Sequence, residues 1–218
     1  MKISKRLLKI ASYVLDNSCV LDVGCDHALL DIYLVLNKNN VKAIASDVNE
    51  NALKIARKNI EKYNLLDKID VVLQDGLVNL SLDVDTLVIA GMGTKTILDI
   101  LNKGNLDNIK RIIVSSNNNY YELRKGITKL GFKIVLEDMV YENNIYYPII
   151  VFERGSIKYS KLELEYGPIL LKQKSDIFLK YINFKKNNLN KILDNLDKKN
   201  LSTYHKIKKE ISDLDKIN

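Results

Sequence analysis

The chain has 218 residues, enough for one domain of ordinary size with an appendage. Hydrophobic residues make up 46%, which supplies a real core, and no apolar run approaches the roughly 18–20 residues needed to cross a bilayer. The net charge of +7 is unevenly spread: residues 156–218 hold 14 Lys against 8 acids, residues 1–155 hold 20 Lys plus Arg against 19 acids.

The N-terminal stretch MKISKRLLKIASYVLDN keeps polar residues every third or fourth position, which predicts an amphipathic helix and not a signal peptide. Short apolar, β-branched runs follow at 19–24, 41–47, 69–75, 85–91 and 109–116. They read as strands of a parallel sheet buried on both faces. Helical patterns lie between them near 27–37, 50–64, 95–103 and 120–130, and this alternation specifies a doubly wound α/β sheet. FKIVLEDMVYE (132–142) and IYYPIIVFER (145–154) are then joined by Asn143-Asn144, a good hairpin turn. By fold analogy, an antiparallel hairpin closing a parallel sheet points to a Rossmann-like class I methyltransferase domain with a seven-stranded sheet.

Past Gly155 the strand patterns cease. Apolar residues recur at helical spacing at Phe178, Ile182, Leu189, Ile192 and Leu196, then at Tyr204, Ile207, Ile211 and Leu214. The register breaks across DKKNLS (197–202), so 156–218 is expected to form two long antiparallel helices, a C-terminal helical hairpin or coiled coil. The expected domains are therefore 1–155 and 156–218. Lysines facing away from the seam suit a polyanionic partner, and nucleic acid is the one expected. The competing explanations are a solvated bundle for stability or dimerisation, and compositional drift, since 29 Lys and 24 Asn mark a biased sequence. Cys19 and Cys25 fit no metal or redox spacing and argue for a reducing cytoplasm.

The candidate site begins at VLDVGCDHALL (20–30). Asp22 lies in the first strand, Gly24 at the turn and Asp26 before the next helix. A dinucleotide pyrophosphate at that turn would set Asp26 against like charges, whereas a sulfonium with an ammonium group meets no such penalty. S-adenosylmethionine carries both. Asp47, 23 residues after Gly24, closes the second strand, where a carboxylate can accept both ribose hydroxyls. Asp75 closes the third and can accept from the adenine amino group. Val48 and Gly76, next to these acids, belong to the same expected donor site. In VIAGMGTKTILDIL (88–101), Gly91 and Gly93 allow close backbone approach, with Met92 between them against a ring or the sulfonium.

SKRLLKIASYV, LDVGCDHALLDIYL, VIAGMGTKTILDIL and YGPILLKQKSDIFLKYI, in this order and spacing, resemble the bacterial tRNA (adenine-22-N1)-methyltransferase family across essentially the whole chain. The resemblance implies a Rossmann-like domain with a C-terminal coiled coil, S-adenosylmethionine as donor, S-adenosylhomocysteine as product, and N1 of an adenosine in the tRNA D arm as acceptor. It assigns Asp22, Gly24, Asp26, His27 and Ala28 to the first motif and Gly91, Met92 and Gly93 to the fourth. Arg6 matches a basic residue near the family's active site, and Asn117 falls where the family has an active-site asparagine. The chain departs from the pattern at Thr94, where a third glycine is usual, and in SSNNNY, which lacks the proline before the asparagine.

Adenine N1 already has a lone pair, so transfer needs access and alignment more than a base, and the nucleotide is expected to be rotated out of its stack. Asp26 has two open roles: holding N6 and the charge developing on the ring, or binding the donor's ammonium. His27 is expected to support the turn by a local hydrogen bond. The basic helices would grip the tRNA body through phosphates. A monomer, with a dimer as the open alternative, is expected, without metal and without membrane contact. The alternatives are a methyltransferase for another RNA site or a small molecule, a catalytically inactive RNA-binding relative, and an NAD dehydrogenase.

Overall fold

A computed structural model describes residues 1–78, 83–196 and 201–217. Helix α1 (Lys5–Tyr13) starts at Ser4, whose hydroxyl accepts from the Leu7 N–H, and buries Ile10 and Ala11. Five parallel strands follow: β1 (Cys19–Val23), β2 (Lys42–Asp47), β3 (Ile69–Leu73), β4 (Thr86–Ala90) and β5 (Arg111–Ser115). Helices α2 (Leu29–Asn37), α3 (Glu50–Lys62), α4 (Thr94–Lys103) and α5 (Tyr120–Lys129) alternate with them. The hairpin β6 (Phe132–Glu142) and β7 (Ile145–Arg154) runs to the residues expected from the turn at Asn143-Asn144. Both turn asparagines take positive φ, 50° and 63°, as a tight hairpin turn demands.

The seven strands form one sheet in the order β3-β2-β1-β4-β5-β7-β6, with β7 antiparallel to β5. Paired residues Val20 and Ala43 share a face. On that face Val20, Val88, Ile113 and Val151 pack with Ile10 and Val14 of α1 and Leu30 and Leu34 of α2, while Ala43 and Ala45 pack with Leu53, Ala56 and Ile60 of α3. The chain leaves β1 towards β2 and later leaves β4 towards β5, in opposite directions across the sheet. Right-handed crossovers therefore put α4 on the other face and open a crevice between the carboxyl ends of β1 and β4. β5 is buried along its whole length, as a central strand covered on both faces must be.

The chain divides into two compact units, Met1–Pro168 and Ile169–Asn218, so the division falls later than the expected 155/156. The reason is local. Helix α6 (Lys161–Tyr166) begins with a Ser160–Glu163 capping box and packs on α5. The buried Arg124 of α5 donates to the Leu164 and Glu165 carbonyls, at 3.0 Å each, and pairs with buried Glu137 of β6 at 2.7 Å. Those ties hold α6 in the first unit.

In the second unit, α8 (Asp176–Asp194) packs with α9 (Leu201–Asp215), preceded by the short α7 (Pro168–Gln173) at the boundary. The expected pair of long helices thus starts only at Asp176. Phe178, Ile182, Ile207 and Leu214 of the expected seam are buried, but Ile192 and Tyr204 are exposed at 50% and 40%. Lys185 and Lys186 flank the seam and pair with Glu210 and Asp215 of α9, so not every lysine turns away from it. Residues 197–200 of the expected turn lie outside the described residues.

Candidate active site

The loop after β1 hangs on the end of β2: the Gly24 and Cys25 N–H groups both donate to the Ser46 carbonyl, at 2.8 and 3.0 Å. Gly24, Asp26 and Ala28 all take left-handed φ, at 77°, 52° and 55°. This delays α2 to Leu29, two residues later than expected, and leaves Asp26 in a tight turn. Left-handed backbone at two non-glycine residues is strain that surrounding contacts must hold. Two contacts do so: the Asp26 N–H donates to Asp47 Oδ2 at 3.3 Å, and Asn59 Nδ2 donates to the His27 carbonyl at 3.0 Å. His27 Nδ1 stands 3.6 Å from Asp26 Oδ1, outside hydrogen-bond range, so the expected local bond of the His27 side chain is not made, and only its carbonyl is held, by the distant Asn59 of α3.

Asp47 Oδ1 also accepts from the Asn49 N–H at 2.8 Å. Each oxygen keeps a lone pair, so the carboxylate can brace the loop and still accept from a diol. Asp75 lies two residues past the end of β3, exposed, beside buried Gly76.

The loops after β4 and β5 are laced together. Asn117 donates through its backbone N–H to the Met92 carbonyl at 3.0 Å and through Nδ2 to the Gly91 carbonyl at 2.7 Å. Asn118 Oδ1 accepts from the Thr94 N–H at 3.1 Å, and the Thr94 hydroxyl donates to the Asn118 carbonyl at 2.6 Å. Thr94, where the resemblance had implied a third glycine, is thus the tie between the two loops. From α1, Arg6 reaches over: its guanidinium stands 4.7 Å above the Tyr147 ring, and a Cβ on Gly91 (φ 82°) would lie 3.6 Å from its Nη2.

Two hollows meet at Gly24, Asp47 and Met92. One, of about 330 Å³, is lined by Val48, Asp75, Gly76 and Ile100 among others. The other, of about 400 Å³, is lined by Arg6, Asp22, Asp26, His27 and Gly91 among others. The structure therefore gathers the expected acids and glycines around one groove. Ala28, Gly93 and Asn117 line neither hollow: Ala28 is buried, Gly93 caps α4, and the exposed Asn117 holds the Gly91 carbonyl. A larger hollow, about 480 Å³, lies along β3 between Leu66, Val72 and Arg57, away from Asp22, Asp26 and the glycine loops. Among the described residues no three His, Cys, Asp or Glu side chains gather as a metal-binding set.

Asp31 was not legible as a site residue. It sits in the first turn of α2, where an acid reads as a partner for the helix dipole, yet it is wholly buried. It faces Asp22, itself 6% exposed. Neither Asp31 oxygen has a well-formed hydrogen bond among the described residues; only its own backbone N–H and the Asp22 carboxyl stand near, and the two carboxyls can bond each other only by sharing a proton. Burial, then the facing Asp31 and more distantly Asp47, raise Asp22 well above the usual carboxylate range. Burial raises Asp31 to about 7. Burial and the same acids push the Cys25 thiol up, which keeps it protonated.

Residues 20–216 match the family model TrmK, tRNA (adenine(22)-N(1))-methyltransferase. A Bacillus subtilis protein named tRNA (adenine(22)-N(1))-methyltransferase is 32% identical over 189 residues, 83% of this chain and 79% of the relative. The chain belongs to the TrmK family. M. capricolum TrmK, solved with S-adenosyl-homocysteine, is 33% identical with a TM-score of 0.88, covering 99% of this chain and 97% of that one. A Streptococcus pneumoniae protein solved with S-adenosyl-L-methionine is 34% identical with a TM-score of 0.91, covering 99% of each chain. The TrmK match spans α8 and α9 as well as the sheet, so the helical unit is part of the family's pattern and not an addition to it. In TrmK terms, the first and fourth motifs face each other across the groove at Gly24 and Met92. The groove's residues fit a sulfonium donor: strand-end acids for ribose and amino groups, glycine turns for close approach, and the Asp26 and Asp47 carboxylates beside Gly24, which a pyrophosphate would oppose.

Proposed function

We propose that this protein transfers the methyl group of S-adenosylmethionine to N1 of adenosine 22 of tRNA, in the cytoplasm. One observation carries the reading: acids from three successive strands and the glycine turns of two motifs surround a single groove at the carboxyl edge of the sheet. S-adenosylmethionine supplies an electrophilic methyl on a positively charged sulfur. Asp47 accepts the ribose hydroxyls, Asp75 and Gly76 lie at the adenine, and Val48, 67% exposed, gives that ring an apolar contact. Met92 lies between the two hollows, where the reacting carbon must pass.

Asp26 works on the acceptor side. Its side chain is 73% exposed at the rim of the hollow that Arg6 also lines, whereas Asp22 and Asp47 lie deeper or are engaged by backbone. There it accepts from the adenine N6 amino group and stabilises the positive charge that grows on the ring. Asn117 spends its amide N–H on Gly91, so its Oδ1 is left as a second acceptor for the same amino group. Arg6 steadies the acceptor strand through a phosphate. Exposed lysines of the second unit, among them Lys180, Lys191, Lys206 and Lys209, hold the tRNA body through its backbone.

The test is incubation with labelled donor and bulk tRNA, followed by mass mapping of the methyl group. Asp26→Asn is expected to lower kcat about 100-fold or more while donor affinity by calorimetry stays unchanged. Label at a nucleotide other than adenosine 22, or on no RNA, would overturn the assignment. Donor affinity lost together with kcat would move Asp26 to the donor side.

A further inference from the structure

The pairing of β5 with β7 runs from Arg111↔Glu153 to Val114↔Ile150. Residues 145–149 of β7 therefore run on past the last β5 partner, at the carboxyl edge where Gly91 and Asn117 lie. The same holds for the end of β6 that pairs with them. The hairpin overhangs the acceptor side of the groove, and its tip is rich in tyrosine.

Strand alternation sends these tyrosines to two faces. Tyr147 shares the α1 face with Ile149 and Val151 and carries the Arg6 guanidinium. The Lys5 N–H donates to the Glu142 carboxylate at 2.8 Å, so α1 is tied to the tip from that side. On the opposite face Tyr141 and Tyr146 are cross-strand partners, their ring centroids 4.6 Å apart and tilted by 43°. Tyr141 stays 44% exposed and neighbouring Ile145 50%. The Tyr141 hydroxyl donates to Asn144 Oδ1 at 3.1 Å, which holds the ring against the turn.

A cross-strand aromatic pair strengthens any hairpin by a fraction of a kcal/mol to about one, but that needs no exposed ring beside an active site. Resting on the tRNA reading above, we propose that Tyr141 and Tyr146 form a stacking ledge for an unpaired base of the tRNA next to the target adenosine. Rotating the target out of its stack strips a neighbouring base of its partner, and an aromatic ring is the surface that replaces it without reading sequence. The ledge belongs to the rigid sheet and shares its hairpin with the Tyr147 that seats Arg6, so a base stacked there is in register with the groove.

The experiment uses the full chain with an unmodified tRNA transcript and the variants Tyr141→Leu, Tyr146→Leu and Tyr141→Phe. Each leucine is expected to raise the tRNA KM about 5- to 150-fold, the range for loss of one base–aromatic stack. Tyr141→Phe should stay within about twofold of the parent, and donor affinity and melting temperature should hold in all three. A leucine variant with parental KM overturns the ledge. So does a phenylalanine variant as impaired as leucine, which would assign the effect to the hydroxyl and its turn. Self-association lost in the leucine variants, with KM unchanged, would make the patch a contact between copies. If the parent protein methylates no tRNA, the functional reading fails, and filter binding of the same tRNA to parent and leucine variants still decides the ledge.

Discussion

Asp31→Asn isolates the buried dyad behind the groove. An ordinary aspartate titrates near 3.8 and Asp31 near 7, a gap worth about 4 kcal/mol at 1.36 kcal/mol per tenfold in proton affinity. Because the folded state holds the proton more tightly than the unfolded one, the dyad favours folding at and below about pH 4. Its contribution is lost as the pH rises towards 7, and the full penalty stands above that. Asparagine keeps the shape, carries no charge, and offers an N–H to the Asp22 carboxyl. The variant is therefore expected to match the parent near pH 4 and to exceed its stability at pH 8 by up to about 4 kcal/mol. Urea unfolding of both proteins at steps from pH 4.5 to 8.5 measures the difference directly, and subtraction removes the titrating groups that do not touch the dyad, leaving Asp31 together with the change in its partner Asp22. A difference that stays constant across that range would refute the shared proton.

Arg124→Leu takes the guanidinium away from the buried Glu137 carboxylate and frees two carbonyls of α6, so a loss of about 3–5 kcal/mol in denaturant unfolding is expected. Raising salt should weaken tRNA binding steeply. Replacing Lys180, Lys191, Lys206 or Lys209 with Glu should make the plot of log affinity against log salt shallower by about one for each phosphate contact removed, with donor affinity unmoved.

Much of this was legible in the residues in order. β-branched runs and their spacing were enough for a parallel sheet, because strands buried on both faces must be continuously apolar. Asn143-Asn144 between two alternating runs located the hairpin to the residue. Asp47, at the very end of β2, was recognisable because a strand of known start and length leaves its last residue little freedom.

What the residues in order could not decide was who meets whom across the fold. Asp22 and Asp31 are nine positions apart, each with an ordinary local explanation, and only the packing of α2 on β1 sets them face to face in a dry place. Arg6 meets Tyr147 and Gly91 only because α1 lies on the face shared with β7. The division after Pro168 came from Arg124 claiming two carbonyls forty residues on. Local propensity and periodicity are written into neighbouring residues, whereas burial, charge pairing and proton affinity depend on distances that exist only once the chain has closed on itself.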